Sequence, residues 1–244
     1  MANDKAPSTP PLPAGLYTTI VPVHGQMPFI DQALESIRQQ TATCGPILLV
    51  ADPPKSRVSH HLHSLLSASD GQLRLLEAPK PGIIGAINHA ITQVKTPFVS
   101  FLDSDDLWTP KKQEGQLRML LADLTLDAVT SLGANFRGEK KPTHIGTPHP
   151  CATFTATTFR HPTFERCGLL DPDATHYTWL YRWWIHARGK GLHESILPEL
   201  SLLRRVHPGS SWVIGNETGH RELLDELRRI SRARADATRQ GLAT

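Results

Sequence analysis

The chain predicts an α/β fold in which a mostly parallel sheet is flanked by helices, and three features carry that reading. Short β-branched runs alternate with amphipathic stretches over about the first hundred residues, a pattern that calls for parallel strands joined by helical crossovers. At 244 residues the chain suffices for one sizeable core rather than several. The apolar run that opens "FVSFLDSDD" (98–106) ends in the carboxylates Asp103, Asp105 and Asp106. Such a strand's carboxyl end is where open α/β sheets bind ligands.

In order, residues 1–14 are rich in Pro, Ala and Ser without an apolar period and read as a flexible leader, leaving 15–244 as one domain. "LYTTIVPV" (16–23) has strand composition, and in "MPFIDQALESIRQQ" (27–40) Phe29, Ile30, Ala33, Leu34 and Ile37 share one helical face. "PILLVAD" (46–52) follows as a strand, 56–68 as a helix and "QLRLLEA" (72–78) as a strand. "GIIGAINHAITQV" (82–94) is the third helix and "PFVSFLD" (97–103) the fourth strand. Thr109 then Pro110 read as the N-cap and first residue of a helix reaching about 122. Beyond it, strands at 127–135 and 151–160 flank a polar, Pro-rich stretch at 137–150. A short helix in "HPTFERCG", an aromatic helix in "YTWLYRWWIHARGKG" and a strand in "HESILPELSLLRRVH" complete this half. From Glu217 to about Gln240 a charged helix carries Leu223, Leu224, Leu227 and Ile230 on one face, and its arginines read as a solvated surface.

The net charge of +3 is too small to make nucleic acid or an anionic membrane the main partner. No run approaches the roughly 20 apolar residues a transmembrane helix needs, and no secretory signal opens the chain, so a cytoplasmic protein is expected. Cys44, Cys151 and Cys167 are odd in number and widely spaced, as free thiols in a reducing compartment are. His60, His61 and His63 in "HHLH" lack a second ligand cluster and read as an exposed helix rather than a metal site.

Five segments in chain order, "IVPVHGQ", "QALESIRQQT", "ILLVAD", "PGIIGAINHAI" and "FLDSDDLWTP", together resemble the family 2 glycosyltransferases of the GT-A fold, strongly over 17–121 and more weakly to about 212. The resemblance implies a nucleotide-binding α/β/α sandwich with a C-terminal acceptor-side segment. It implies a metal-dependent transferase that moves a hexose from a nucleotide-diphosphate sugar, with a UDP-sugar favoured and Mn²⁺ or Mg²⁺ as the cation. Hard oxygen ligands suit either ion, and a cation offsets the charge of a departing diphosphate. By resemblance Asp103 faces the ribose or the metal, Asp105 ligates the metal, and Ser104 and Asp106 support the loop or the donor. Asp52 accepts a hydrogen bond from the base, which Pro22, Val23 and His24 line. Gly82 and Asn88 shape the donor pocket. His207 completes the metal's coordination, and Arg204 or Arg205 pairs with phosphate, only one of these neighbours pointing inward on a strand. Two departures stand out: "ADPPKS" has one acid where the family commonly has two, and Gln26 replaces a common Glu.

The family's general-base carboxylate has no counterpart here. No acid lies between Asp173 and Glu194, and Arg182 or Thr178 falls near the expected position. Asp171, Asp173 and His176 are the nearest substitutes. Three readings follow: a transferase with a displaced base or an acidic acceptor, a retaining enzyme whose leaving phosphate takes the acceptor proton, or a degenerate GT-A domain. The last binds a nucleotide or a protein, with Tyr177, Trp179, Tyr181, Trp183 and Trp184 as its docking surface. The residues do not choose among peptide, small-molecule and saccharide acceptors, and a homo-oligomer stays open.

Overall fold

The computed structural model describes residues 10–24, 27–51, 60–69, 71–79, 82–175, 178–208, 221–222, 224–229 and 232. The first half alternates strictly: β1 (Tyr17–Val23), α1 (Ile30–Arg38), β2 (Ile47–Ala51), α2 (His60–Ser67), β3 (Leu73–Glu77), α3 (Ile83–Gln93) and β4 (Phe98–Phe101). Its four strands are all parallel, in the order β3-β2-β1-β4. The second half is mixed. It comprises β5 (Leu107–Trp108), α4 (Lys112–Ala122), β6 (Ala128–Phe136), β7 (His149–Cys151), β8 (Thr158–Arg160), α5 (Pro162–Cys167), α6 (Trp179–Gly189) and β9 (Glu194–Arg205). The sheet continues β4-β8-β6-β9-β5, with β7 paired to β6. Strand β8 is antiparallel to β4 and β6, whereas β9 runs parallel to β6 and antiparallel to β5.

Period-2 alternation sorts the side chains into two cores. Tyr17, Val21, Ile47 and Leu49 face one side with α1, Leu62 of α2, and Leu117 and Leu120 of α4. Ile20, Leu48 and Val50 face the other with α3, α5 and α6. The result is the expected α/β/α sandwich. On the second face Phe154 sits 5.0 Å from Trp183 and 4.9 Å from both Phe101 and Phe159, ring centroid to centroid. Edge-to-face and tilted pairs of this kind add about 0.5–1.5 kcal/mol each beyond area burial. Trp183 and Trp184 are therefore core, not the docking surface that their density allowed, while Tyr181 is exposed and Tyr177 lies outside the described residues.

Several local expectations change. The helix expected from Pro110 begins at Lys112 without a side-chain cap, because Thr109 donates its hydroxyl to Leu200 O at 2.9 Å. The single strand expected over 151–160 divides around a 3-10 turn, Phe154–Ala156, where Thr153 Oγ1 accepts from Ala156 N. The packed unit also begins before residue 15, since Leu12 lies against the first core and Pro10 O accepts from Arg118 at 2.8 Å. Within the charged C-terminal segment, residues 221–222 and 224–229 are helical. Among the described residues, no helix is long and apolar enough to cross a membrane.

Beneath the sheet, Lys112 is buried with no carboxylate partner among the described residues. Its Nζ donates to Gln116 Oε1 at 2.9 Å and lies 4.1 Å from the Trp108 ring centre. Burial holds its pKa well below the ordinary lysine range.

Candidate functional site

Buried β4 runs parallel to β1, and the chain turns sharply after it, with Asp106 N donating to Asp103 O at 3.2 Å. This turn gathers Asp103, Asp105 and Asp106 so that one ligand oxygen from each lies within 4.8 Å of the others, the group of that kind among the described residues. Burial and crowding raise the pKa of two of them, Asp103 and Asp106. Burial first, and then the Asp105 charge, push the Asp103 carboxyl up to about 6, while Arg204 and His24 pull it down. Asp103 is nonetheless reached by solvent. Asp106 is buried, and burial with the charges of Asp103 and Asp105 raises it well above the carboxylate range.

The end of β9 closes the site from the opposite half of the sheet. Arg205 N donates to Asp106 Oδ1 at 2.8 Å, and His207 Nε2 lies 3.0 Å from Asp105 Oδ2, its ring edge-on to Phe29 at 5.2 Å. The Arg205 guanidinium bonds Asp105 O through Nε at 2.9 Å and Gln32 Oε1 through Nη2 at 2.9 Å. Burial lowers its pKa against the opposing pull of Asp105 and Asp106. Arg204 is half-buried, and its charge favours ionised Asp103 and Asp106.

Pro22 and Val23 end β1, half-buried and buried respectively, and exposed His24 acts electrostatically on Asp103. Gly82 precedes α3 with φ +117°, a backbone angle that favours glycine, although a Cβ there would meet nothing within 4 Å. Asn88 uses both ends of its amide on Leu170, donating to its O at 2.8 Å and accepting from its N at 2.9 Å. It thus ties α3 to the segment before α6. Ser104 occupies the acidic turn, half-buried. Asp52 and His176 lie outside the described residues.

Around α6 the base candidates are differently placed. Asp171 Oδ1 accepts from Asp173 N at 3.0 Å and Oδ2 from Arg182 at 2.7 Å, and these bonds, the backbone one first, hold its pKa below the usual range. That makes it a poor proton acceptor. Asp173 is exposed. Thr178 is buried, its hydroxyl engaged with Thr175. Arg182 also donates to Glu226 Oε1 at 2.9 Å, and Glu226, bonded by Arg229 and then by Arg182, falls to about 2. Glu226 is a carboxylate that the sequence analysis does not single out. The available signal was its spacing, since it follows Leu223 by three residues and precedes Ile230 by four, which puts it beside the apolar face.

A family model described as glycosyl transferase family 2 matches residues 18–185. Among curated proteins, the UDP-Glc:alpha-D-GlcNAc-diphosphoundecaprenol beta-1,3-glucosyltransferase WfgD of Escherichia coli is 32% identical over 108 residues, covering 43% of this chain and 41% of that protein. Chondroitin synthase of Pasteurella multocida is 23% identical over 162 residues, covering 66% of this chain and 15% of that one. The chain thus spans less than half the length of these relatives. Among solved structures, S. aureus TarS 1-349 in complex with UDP-GlcNAc superposes with a TM-score of 0.59 at 14% identity, covering 80% of this chain and 59% of that chain. The likeness to TarS is one of fold.

Proposed function

The chain belongs to glycosyl transferase family 2, and on that premise we propose that it transfers a sugar from a UDP-sugar to an acceptor, with a divalent cation at the acidic turn. The observation that carries this reading is the convergence of Asp103, Asp105 and Asp106 within 4.8 Å at a strand's carboxyl end, with His207 3.0 Å from Asp105. Carboxylate oxygens and an imidazole suit Mn²⁺ or Mg²⁺, and the raised pKa values of Asp103 and Asp106 mark a cluster that a cation would relieve. Asp103, Asp105 and His207 would hold the ion, while Asp106, bonded to the Arg205 backbone, would brace the turn. When bound, the cation would supply charge stabilisation for the departing diphosphate.

This chain's own groups do the rest. Asp52 would accept the imide N–H of uracil beside Pro22, Val23 and His24, Gly82 would shape the donor pocket beside them, and Arg204 would add positive charge toward the phosphates. As the bond from the anomeric carbon to phosphate oxygen breaks, the acceptor oxygen bonds that carbon and gives up its proton. Asp171 is ill suited to take it, which leaves Asp173, His176 or a phosphate oxygen of the leaving group. The UDP-GlcNAc bound by TarS and the UDP-Glc named for the E. coli relative support a UDP-sugar donor. Three free cysteines support action in a reducing compartment.

The test is a panel of sugar nucleotides incubated with and without Mn²⁺, scored for hydrolysis and transfer, with Asp105→Ala alongside. Cation-dependent turnover that Asp105→Ala loses by at least 10²-fold supports the proposal. Binding without turnover across the panel supports the degenerate nucleotide-binding module, the reading favoured by Arg182 or Thr178 falling near the position where the family's base is expected.

A further inference from the structure

Strand alternation allows one of Arg204 and Arg205 to point inward, and the inward one is Arg205, 4% exposed. Each of its three guanidinium nitrogens is engaged by a neutral oxygen. Nε donates to Asp105 O at 2.9 Å, Nη2 to Gln32 Oε1 at 2.9 Å, and Nη1 to Gly138 O and, at 3.4 Å, to Glu139 O. Its two faces are covered as well, by the Phe29 ring at 4.2 Å and the Phe136 ring at 4.5 Å. A planar fork whose nitrogens and faces are so engaged is anchored to protein groups.

The Gly138 and Glu139 carbonyls belong to the turn between β6 and β7. Gly138 has φ +112°, and a Cβ on it would stand 2.2 Å from Lys141 O, so glycine is needed for this turn. Gln32 Nε2 donates to Glu139 O at 2.6 Å, so α1 holds the same turn from a second direction. Four segments therefore meet at one side chain: α1, the acidic turn, the β6–β7 hairpin and β9.

We propose that Arg205 is a positioning residue that sets the Asp105 backbone for cation binding and couples it to the β6–β7 hairpin, instead of gripping donor phosphate. This rests on the cation site proposed above. The two roles predict opposite signs. Removing a positive charge beside three carboxylates should by Coulomb's law tighten cation binding. Removing the group that shapes the turn should weaken it.

The experiment measures Mn²⁺ alone, by calorimetry, on folded variants. Arg205→Met should weaken Mn²⁺ about tenfold despite losing a cation, as loss of an outer support for a ligand does. Arg205→Lys, which keeps charge but not the fork, should fail to rescue it, whereas Arg204→Met should bind at least as tightly as wild type. Gln32→Met, a milder change, should weaken Mn²⁺ a few-fold. Hydrogen exchange should quicken in Arg205→Met at the Arg137 and Thr143 amides, which donate to each other's carbonyls at 2.9 and 2.7 Å. Wild-type Mn²⁺ affinity in both Arg205→Met and Gln32→Met, or hairpin exchange unchanged in Arg205→Met, overturns the positioning role. A wild type that binds no Mn²⁺ instead overturns the cation site on which the role depends.

Discussion

Lowering the pH from 7 to 5 should weaken cation binding by up to about tenfold, and the acidity of Asp103 sets the size of the effect. With that carboxyl at about 6, roughly nine-tenths is ionised at pH 7 and about one-tenth at pH 5. A cation that needs the ionised form loses at most about 1.4 kcal/mol over that interval, and less to the extent that water screens this exposed carboxyl. The sign for the cation-free protein is opposite. Because the folded pKa stands above the unfolded value of about 3.9, the stability contributed by this group is present at low pH and is lost as pH rises through 6. Mn²⁺ at about 100 times its pH 7 dissociation constant stabilises the fold by about 2.7 kcal/mol there, and the same concentration gives at least about 1.4 kcal/mol at pH 5. For a chain of this size those become melting shifts of roughly 5–10 °C and 3–6 °C. Calorimetric titration at both pH values, with thermal melts in parallel, measures it. Affinity that stays flat from pH 7 to 5, or an Asp103→Asn variant with the wild-type pH profile, would refute the assignment of the proton to this site.

Phe154→Ala, at the centre of the aromatic core, should cost about 3–5 kcal/mol, read as a fall in melting temperature of roughly 6–20 °C; a fall within 2 °C would show that the ring cluster is not integral to the fold. Lys112→Met should raise stability to urea at pH 7. A lysine with a depressed folded pKa lowers stability increasingly as pH falls from about 10, by about 1.4 kcal/mol per unit until the native group takes its proton. The margin of the variant over wild type should therefore shrink between pH 7 and 9, and a margin independent of pH would rule the mechanism out.

The parallel half of the sheet was legible in the sequence because strands buried on both faces show as near-continuous apolar runs, which is how "ILLVA" and "FVSF" declared themselves. The β5–β9 pairing was not. Leu107 and Trp108 form too short a strand for periodicity, and their partners Leu203 and Leu202 are remote in sequence. Thr109 and Pro110 carried a sound capping signal that lost to a tertiary bond with Leu200. At the site, the acids were legible as charges ending an apolar strand, and the nearness of His207 came through family likeness. Strand alternation said that one arginine turns inward. It could not say that two aromatic rings and a hairpin wait for it, since Phe29, Phe136 and Gly138 meet Arg205 only in three dimensions.

The acidic turn spans residues 102–106, between the last residue of β4 and the first of β5. Both flanking strands are held in the sheet, one against β1 and β8, the other against β9. A turn pinned at both ends has little freedom to let like charges drift apart, so the repulsion among its carboxylates is borne by the whole sheet. Robustness of the fold and the grip that the proposed site would have on a cation are then opposing properties of the same few bonds. Any change that lets these carboxylates spread would yield a sturdier fold and a weaker ligand site.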